Sequence, residues 1–514
     1  MKHPPAPGAA AAVRPLLMGG GALVAGLAAV LGFAPLDWFA APIVSMAWLL
    51  WAWDRAPGRR AAARLGFLWG LGFFGGGVSW VYVSLHEFGA MSPWLAGLAT
   101  FIFCAFLALF PALVGFLHAG CRLKAVPRAL AFTPAAWVLS EWVRGWLFTG
   151  FPWLALGYSQ VPDSPLRALA PILGVYGVSW AVVASGALLR TAAAARARSA
   201  RAACLVGLSV LWLAAWGATR IAWTHPAGAP LTVSLLQGDM GEDVKWNPDH
   251  VVSTLTTYAR LVNQSRARLI VLPETALPLF YTDLPRGYLA ALARHARALH
   301  GDILAGIPEM VPDGNTQDYY NSVFSFGSSP TQVYRKSHLV PFGEYIPLKS
   351  VFGWVIHHLL HIPMSDFSRG PRVQKPLAVA GQRVAVNICY EDAFGREIIR
   401  QLPAATMLVN VSNDAWFGDS AAPYQQLQIS QMRALETGRY EVQATNTGVT
   451  AIVDPRGRVT ATLPLFKVGA LNGEVQGYAG RTPYVRFGDH AVAALAAGVL
   501  AFSLVGGRRQ RPAR

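Results

Sequence analysis

Charge and cysteine are scarce in this chain. Only 14% of its 514 residues are Asp, Glu, Lys or Arg, against 54% apolar residues and 18 tryptophans. That balance argues against an ordinary soluble protein of this length and fits one with many helices in lipid. Acidic residues are the scarcer sign, 27 against 43 basic, for a formal charge of +16. Such an excess would suit a nucleic-acid binder if it were gathered on one folded face. It lies instead in short loops between apolar runs, so no nucleic acid is expected as a partner. The sequence also has no Walker loop, no H-E-x-x-H and no cysteine cluster, and no metal or cofactor is expected.

What is abundant is apolar length. Uncharged runs occupy residues 15–36, 38–53, 65–85, 88–117, 168–189, 202–219 and 491–507, most of them near the roughly 20 residues that cross a bilayer as helix. An eighth run, 129–150, is broken only by Glu141 and Arg144, which lie three apart on a helix and can pair. The first run lacks an A-x-A-like site and is expected to remain as a span rather than leave as a signal peptide. Basic residues cluster at Lys2 and Arg14, at 55–64, at 122–128, at 190–201 and beyond Arg508. With about eight spans these clusters fall on one face, and the positive-inside rule makes that face cytoplasmic. The expected organisation is a seven-helix region at 1–224, an extracytoplasmic domain at 225–482, and an eighth helix with a basic tail at 483–514. Both termini are expected in the cytoplasm and the domain outside it.

Within the outer domain, apolar alternation predicts strands at 231–237, 269–273, 302–306, 321–326, 383–388, 407–411 and 449–453. Helical patterns fall at 250–265, 286–299 and 424–440. Strands alternating with helices predict a layered α/β domain. Pro/Gly-rich joins at 224–230 and 477–483 read as linkers to the flanking helices. The stretch VFGWVIHHLLHIP at 351–363 is apolar but too short to span. It is either a buried helix or a mobile arm resting in the membrane interface to admit lipid.

Cys389 is the lone cysteine of this domain, since Cys104, Cys121 and Cys204 belong to the apolar region. It ends the alternating strand VAVNICYED and begins a helix-like run, a position where the helix dipole and backbone N–H groups favour thiolate. Glu274, in VLPETALP, follows another apolar strand. Lys336 and Glu344 lie in the Pro/Gly-punctuated loop YRKSHLVPFGEYIP. If Glu274 takes the thiol proton and Lys336 supplies positive charge to the thiolate and the developing oxyanion, the three make a nucleophilic site. In VSNDAWFGD, Asn413, Asp414 and Trp416 follow a buried strand as pocket-lining residues would.

Glu, Lys and Cys in this order, within PET, YRKSHLVPFGEYIP and a strand ending CYE, resemble the nitrilase (carbon-nitrogen hydrolase) superfamily. Together with the apolar runs, FPWLALGYSQ, LLQGD, Lys245–Trp246, PMSDFSRG and NTGVTAIVDPRG, they resemble its membrane-bound apolipoprotein N-acyltransferase family. That resemblance implies an αββα sandwich inserted in a polytopic helical membrane bundle, with Glu274 as general base, Lys336 as electrostatic stabiliser and Cys389 as nucleophile. It also implies roles for Trp246, Glu344, Tyr390, Glu391 and Trp416. The Tyr390 amide is a candidate oxyanion donor. Glu344 either orients Lys336 or shares a proton with Glu274. The implied reaction takes an acyl chain from a glycerophospholipid, holds it as a thioester, and delivers it to the N-terminal amine of a diacylglyceryl-modified apolipoprotein. The same triad passing the acyl group to water, in a membrane-tethered hydrolase, is the alternative.

Overall fold

The computed structural model describes residues 7–241, 248–313, 316–346 and 367–509. Trp246, Lys245 and the apolar stretch at 351–363 lie outside them. The chain divides into two compact units. One comprises Met1–Ser79, Gly97–Ile221 and Asp489–Arg514, the other Trp80–Ala96 and Ala222–Gly488.

The first unit is helical. Among the described residues, Pro93–Gly120, Pro165–Ala194 and Arg198–Ala218 are long and apolar enough to cross a membrane, and Arg59–Gly77 with Val81–Phe88 makes a fourth if counted as one broken span. Leu16–Gly32 and Asp489–Ser503 are shorter apolar helices. Length and apolarity thus single out fewer helices than the sequence has apolar runs. The reason is visible at 129–150, where the helix Thr133–Arg144 stops and a turn with Phe148 at φ 52° follows. Glu141 and Arg144, expected to pair with each other, both turn toward that turn's continuation. Glu141 Oε1 accepts from Leu156 N–H at 2.9 Å, and Arg144 Nη1 donates to the carbonyls of Phe151 and Trp153. These buried charges therefore help hold the FPWLALGYSQ segment, alongside its own backbone bonds from Ala155 to Pro152 and Tyr158 to Ala155. Elsewhere in the unit, Asp54 gathers Arg128 at 2.6 Å, His118 at 3.2 Å and Arg190. Arg59 donates to the Gly120 carbonyl at 3.1 Å. Residues from three of the basic loops thus meet at one end of the unit.

The second unit contains the strands β1 (Thr224–Pro226), β2 (Leu231–Gln237), β3 (Leu269–Val271), β4 (Asp302–Asp313), β5 (Thr316–Gly327), β6 (Gln332–Arg335), β7 (Leu377–Val379), β8 (Gln382–Ile388), β9 (Met407–Ser412), β10 (Glu441–Thr445), β11 (Thr450–Val453), β12 (Val459–Leu463), β13 (Gly469–Val475) and β14 (Tyr478–Gly480). They form two six-stranded sheets of matching design, ordered β13-β2-β3-β4-β5-β6 and β12-β11-β10-β9-β8-β7. In each, two parallel pairings at the centre are flanked by antiparallel ones. Central strands such as LIV at β3 and MLVNV in β9 are buried on both faces, as parallel strands between layers must be. Val233, Leu235, Val271, Val386, Ile388, Val409 and Val411 belong to one core formed by residues of both sheets. The alternate residues of the first sheet, Leu236, Ile270 and Ile303, pack with Tyr258 and Leu261 of the helix Pro248–Gln264 and with Leu292 and Ala296 of Tyr288–Ala298. The helix Ala422–Thr437 is almost wholly buried despite its glutamines. The layers run helix, sheet, sheet, helix, the αββα sandwich expected.

Two local expectations change. The joins at 224–230 and 477–483 are not bare linkers, because β1 and β14 pair across them, Thr224 with Gly480 and Pro226 with Tyr478. The run after Cys389 is a five-residue 3-10 turn, Cys389–Ala393, not an α-helix.

Candidate active site

Three chain segments bring the sequence candidates together. Glu274 stands just beyond β3, in a turn whose next residue, Thr275, has φ 48°. This turn lies directly on β4 at Gly306, where a Cβ would come within 2.3 Å of the Pro273 carbonyl oxygen. Any larger residue there would push the carboxylate out of place. Lys336 follows β6, its N–H bonded to the Asn321 carbonyl of β5 at 2.8 Å. Cys389 ends β8 with φ 53°, a left-handed backbone that costs a non-glycine residue of the order of 1–2 kcal/mol and turns its side chain out of the strand register.

The charged cluster is buried and closely knit. Lys336 is 1% exposed; its Nζ donates to Glu344 Oε1 at 2.8 Å and to Glu274 Oε1 at 3.3 Å. Asn321 Nδ2 bridges the same two carboxylates, at 2.6 Å to Glu274 and 2.9 Å to Glu344. The Asn413 N–H donates to Glu274 Oε2 at 2.9 Å, and Val340 N–H to Glu344 Oε2 at 2.8 Å. Burial alone would pull the Lys336 ammonium down, but the charges of Glu274 and Glu344 outweigh it and hold the pKa above its ordinary value. The lysine is therefore a fixed cation.

The half-buried Cys389 thiol is pushed up, first by burial and then by the Glu274 carboxylate, with Lys336 only partly opposing them. This departs from the thiolate expected from a strand-to-helix turn. The turn is too short to supply a useful helix dipole, and the nearby cation is already shared between two carboxylates. A thiol so raised beside a carboxylate suits proton removal during an attack rather than before it.

Glu391 joins the Cys389 turn to the Lys336 segment. Its Oε1 accepts from Ser337 N–H, the Ser337 hydroxyl and His338 N–H at 2.7, 2.9 and 3.1 Å. Its Oε2 accepts from the Tyr334 hydroxyl at 2.9 Å and Ile388 N–H at 2.8 Å. One buried carboxylate thus pins the segment after Lys336 to the residue before Cys389. Deleting it would orphan these donors at a cost of about 3 kcal/mol or more. The Tyr390 ring packs edge-on against Phe394 at 5.1 Å. Asn413, whose N–H bonds Glu274, accepts with its side chain from Asn446 Nδ2 at 3.0 Å. Trp416 is half-buried; its carbonyl accepts from the Ser84 hydroxyl at 2.7 Å, and its ring meets Phe88 at 6.2 Å. Asn321 was not singled out from the sequence. Its only signal is a polar side chain opening the apolar run NSVFSF.

Two family models match the chain, the apolipoprotein N-acyltransferase N-terminal domain over residues 25–188 and carbon-nitrogen hydrolase over residues 232–484. The apolipoprotein N-acyltransferase of Nitrosomonas europaea is 56% identical over 476 residues, covering 92% of this chain and 94% of that one. The chain belongs to the apolipoprotein N-acyltransferase family. A relative of the same name from Methylococcus capsulatus is 45% identical over 95% of this chain and 96% of its own. Among solved structures, the NitFhit protein of C. elegans aligns at 16% identity with a TM-score of 0.38, covering 55% of this chain and 66% of that one. For this apolipoprotein N-acyltransferase family member, the fold assignment rests on the strand order and the carbon-nitrogen hydrolase match.

Proposed function

We propose that the protein transfers an acyl chain from a glycerophospholipid to the N-terminal α-amine of diacylglyceryl-cysteine on apolipoproteins, with Cys389 as the covalent carrier. The observation that carries this reading is the Glu274–Lys336–Glu344 cluster set against the strained turn of Cys389, in a chain related over nearly its whole length to apolipoprotein N-acyltransferases. In the first half-reaction the thiol sulfur attacks the ester carbonyl while Glu274 takes its proton. The C–O bond then breaks, and Glu274 returns the proton to the departing lysophospholipid oxygen. In the second, the neutral amine attacks the thioester, Glu274 accepts the proton from nitrogen, and the C–S bond breaks with its electron pair on sulfur. The proton then passes to the thiolate, leaving an amide and the original enzyme. Lys336 stabilises the oxyanion in both halves. Its bonds to Glu274 and Glu344 orient it, and Glu344 fills the lysine-orienting role.

The test is the intact mass of wild-type protein incubated with phospholipid, followed by a diacylglyceryl-cysteine peptide. One acyl mass, removable by hydroxylamine and discharged onto the peptide amine, is expected. Discharge to water at the same rate with or without peptide would instead indicate a hydrolase.

The same reading puts the chain in the bacterial inner membrane as about eight spans, with residues 225–482 in the periplasm and both termini in the cytoplasm. The meeting of three basic loops around Asp54 and Gly120 supports one common side for them. A reporter active only outside the cytoplasm should be active when fused after Trp246 and silent after Arg198. The reverse pattern would sink the orientation.

A further inference from the structure

Behind the nucleophile lies a buried carboxyl group that the two half-reactions above do not use. Asp414 follows β9 and is 1% exposed. Its Oδ1 accepts from the Ser412 hydroxyl at 2.6 Å. Its Oδ2 has no hydrogen-bond partner among the described residues, and lies so close to the chain at Gly448 that a Cβ there would sit 1.8 Å away. Ser412 is fully buried. Its oxygen also accepts from Gln426 Nε2 at 3.0 Å. The parallel strands β8 and β9 pair Ile388 with Val411, so the next residues of each, Cys389 and Ser412, are neighbours at the sheet end. Cys389, Ser412 and Asp414 therefore follow one another at this sheet end, with Ser412 held by both Asp414 and Gln426.

We propose that Cys389, Ser412 and Asp414 form a proton relay in which Ser412 and Asp414 are positioning residues that govern when the sulfur carries negative charge. The relay deepens the reading of Cys389 as acyl carrier and rests on it. Two arrangements of one proton are open to the relay. In the first, the thiol donates to Ser412 Oγ, and Ser412 donates to an ionised Asp414. In the second, the thiol proton has passed to Ser412 as the serine proton passed to Asp414. The carboxylic acid then donates to Ser412, and Ser412 to the thiolate. No atom is gained or lost between them, and Gln426 keeps its bond in both.

The charges around the relay set its balance. The charges of Glu274, Lys336 and Asp414 act on the sulfur, and that of Glu274 acts on Asp414. Burial, with a smaller push from Glu274, raises the Asp414 carboxyl to about 7 against the pull of its bond from Ser412, so both of its forms are accessible near neutral pH. An ionised Asp414 keeps the resting thiol neutral. A protonated one supplies, through Ser412, a hydroxyl donor to the thiolate that the amine step expels.

The test is the pH dependence of Cys389 alkylation by iodoacetamide in the full-length protein, with Cys389→Ala marking reaction at other cysteines. Asp414→Asn removes the negative charge while leaving a donor to Ser412. It should speed alkylation about three- to tenfold at pH 7.5 and move the midpoint down. In the wild type, ionisation of Asp414 near pH 7 should also flatten the profile below the tenfold rise per pH unit of a single thiol. The asparagine variant should regain that slope. Ser412→Ala removes the hydroxyl donor to the thiolate and should slow alkylation about threefold, with the midpoint moved up. A merely structural role does not produce shifts of opposite sign. Unchanged profiles in both variants, or shifts in the same direction, would overturn the relay. If Asp414→Asn does not fold, the sign of the Ser412→Ala shift decides alone. Alkylation involves neither lipid nor lipoprotein, so its outcome is independent of whether Cys389 proves to be the acyl carrier.

Discussion

Cys389→Ala should form no acyl-enzyme from phospholipid and should lose acyl transfer by about 10⁴-fold or more, the scale at which removal of a covalent nucleophile is felt. The lesion should be local. Lys336, Glu274, Glu344, Asn321 and Asn413 hold one another through bonds that do not involve the sulfur. Alanine meets the same backbone cost at φ 53° that cysteine does. The folded variant should therefore keep its cluster and its stability while showing no mass increase with phospholipid. Cys389→Ser should be nearly as inactive. Burial and the Glu274 carboxylate already push a thiol up at this position, and a hydroxyl, far less acidic to begin with, would need a much stronger base to attack. A folded Cys389→Ala protein that acylates the peptide at the wild-type rate would falsify the covalent mechanism.

Lys336→Met should combine a catalytic and a structural loss. Methionine keeps much of the apolar stem but removes the ammonium that lies between two buried carboxylates, at 3.3 Å from Glu274 and 2.8 Å from Glu344. Asn321 would still bridge the two like charges. Removing one partner of a buried pair typically costs about 3–5 kcal/mol, so the midpoint of urea unfolding should fall clearly. Thioester formation should fall by about 10²- to 10³-fold or more through loss of oxyanion stabilisation. Adding Glu344→Gln separates the two effects. With one carboxylate neutralised, part of the stability should return, whereas thioester formation should stay as slow as in the single variant. Recovery of activity together with stability would mean that the lysine only holds the fold, and that its charge does not act on the reacting carbonyl.

The fold was legible wherever a strand or helix carried its own periodicity. The expected strand at 231–237 is β2, and 383–388 and 407–411 fall within β8 and β9, because a strand buried between layers must be apolar along its length. The helices at 250–265 and 286–299 emerged from their one-sided apolar stripes. β1, β6, β7, β10, β12, β13 and β14 did not emerge; β1, β7 and β14 have three residues each, and β12 and β13 carry little burial to mark them. The long hairpin arms of β4 and β5 were read only at their buried ends. The helix Ala422–Thr437 was seen, but its burial was not. Glutamine, serine and arginine read as solvent-facing until the surrounding chain supplies their hydrogen bonds.

The sequence by itself determined which residues could do the chemistry. A lone cysteine at a strand end, a proline-boxed glutamate and a lysine in a punctuated loop carry that information in their type and local setting, and the apolar runs carry the helical half in the same way. Only the tertiary structure decided the state of those groups, because charge interactions act through space between segments distant in the chain. The approach of Glu274 and Glu344 holds the lysine's pKa up, and burial, followed by the Glu274 carboxylate, pushes the thiol up. The same folding turns Glu391, which in sequence merely follows Cys389, into the clamp between β6 and β8, and sets Ser412 and Asp414 beside Cys389 at the sheet end. None of these pairings has a spacing that a linear pattern could reveal, since each depends on how two sheets bring their strand ends to one place.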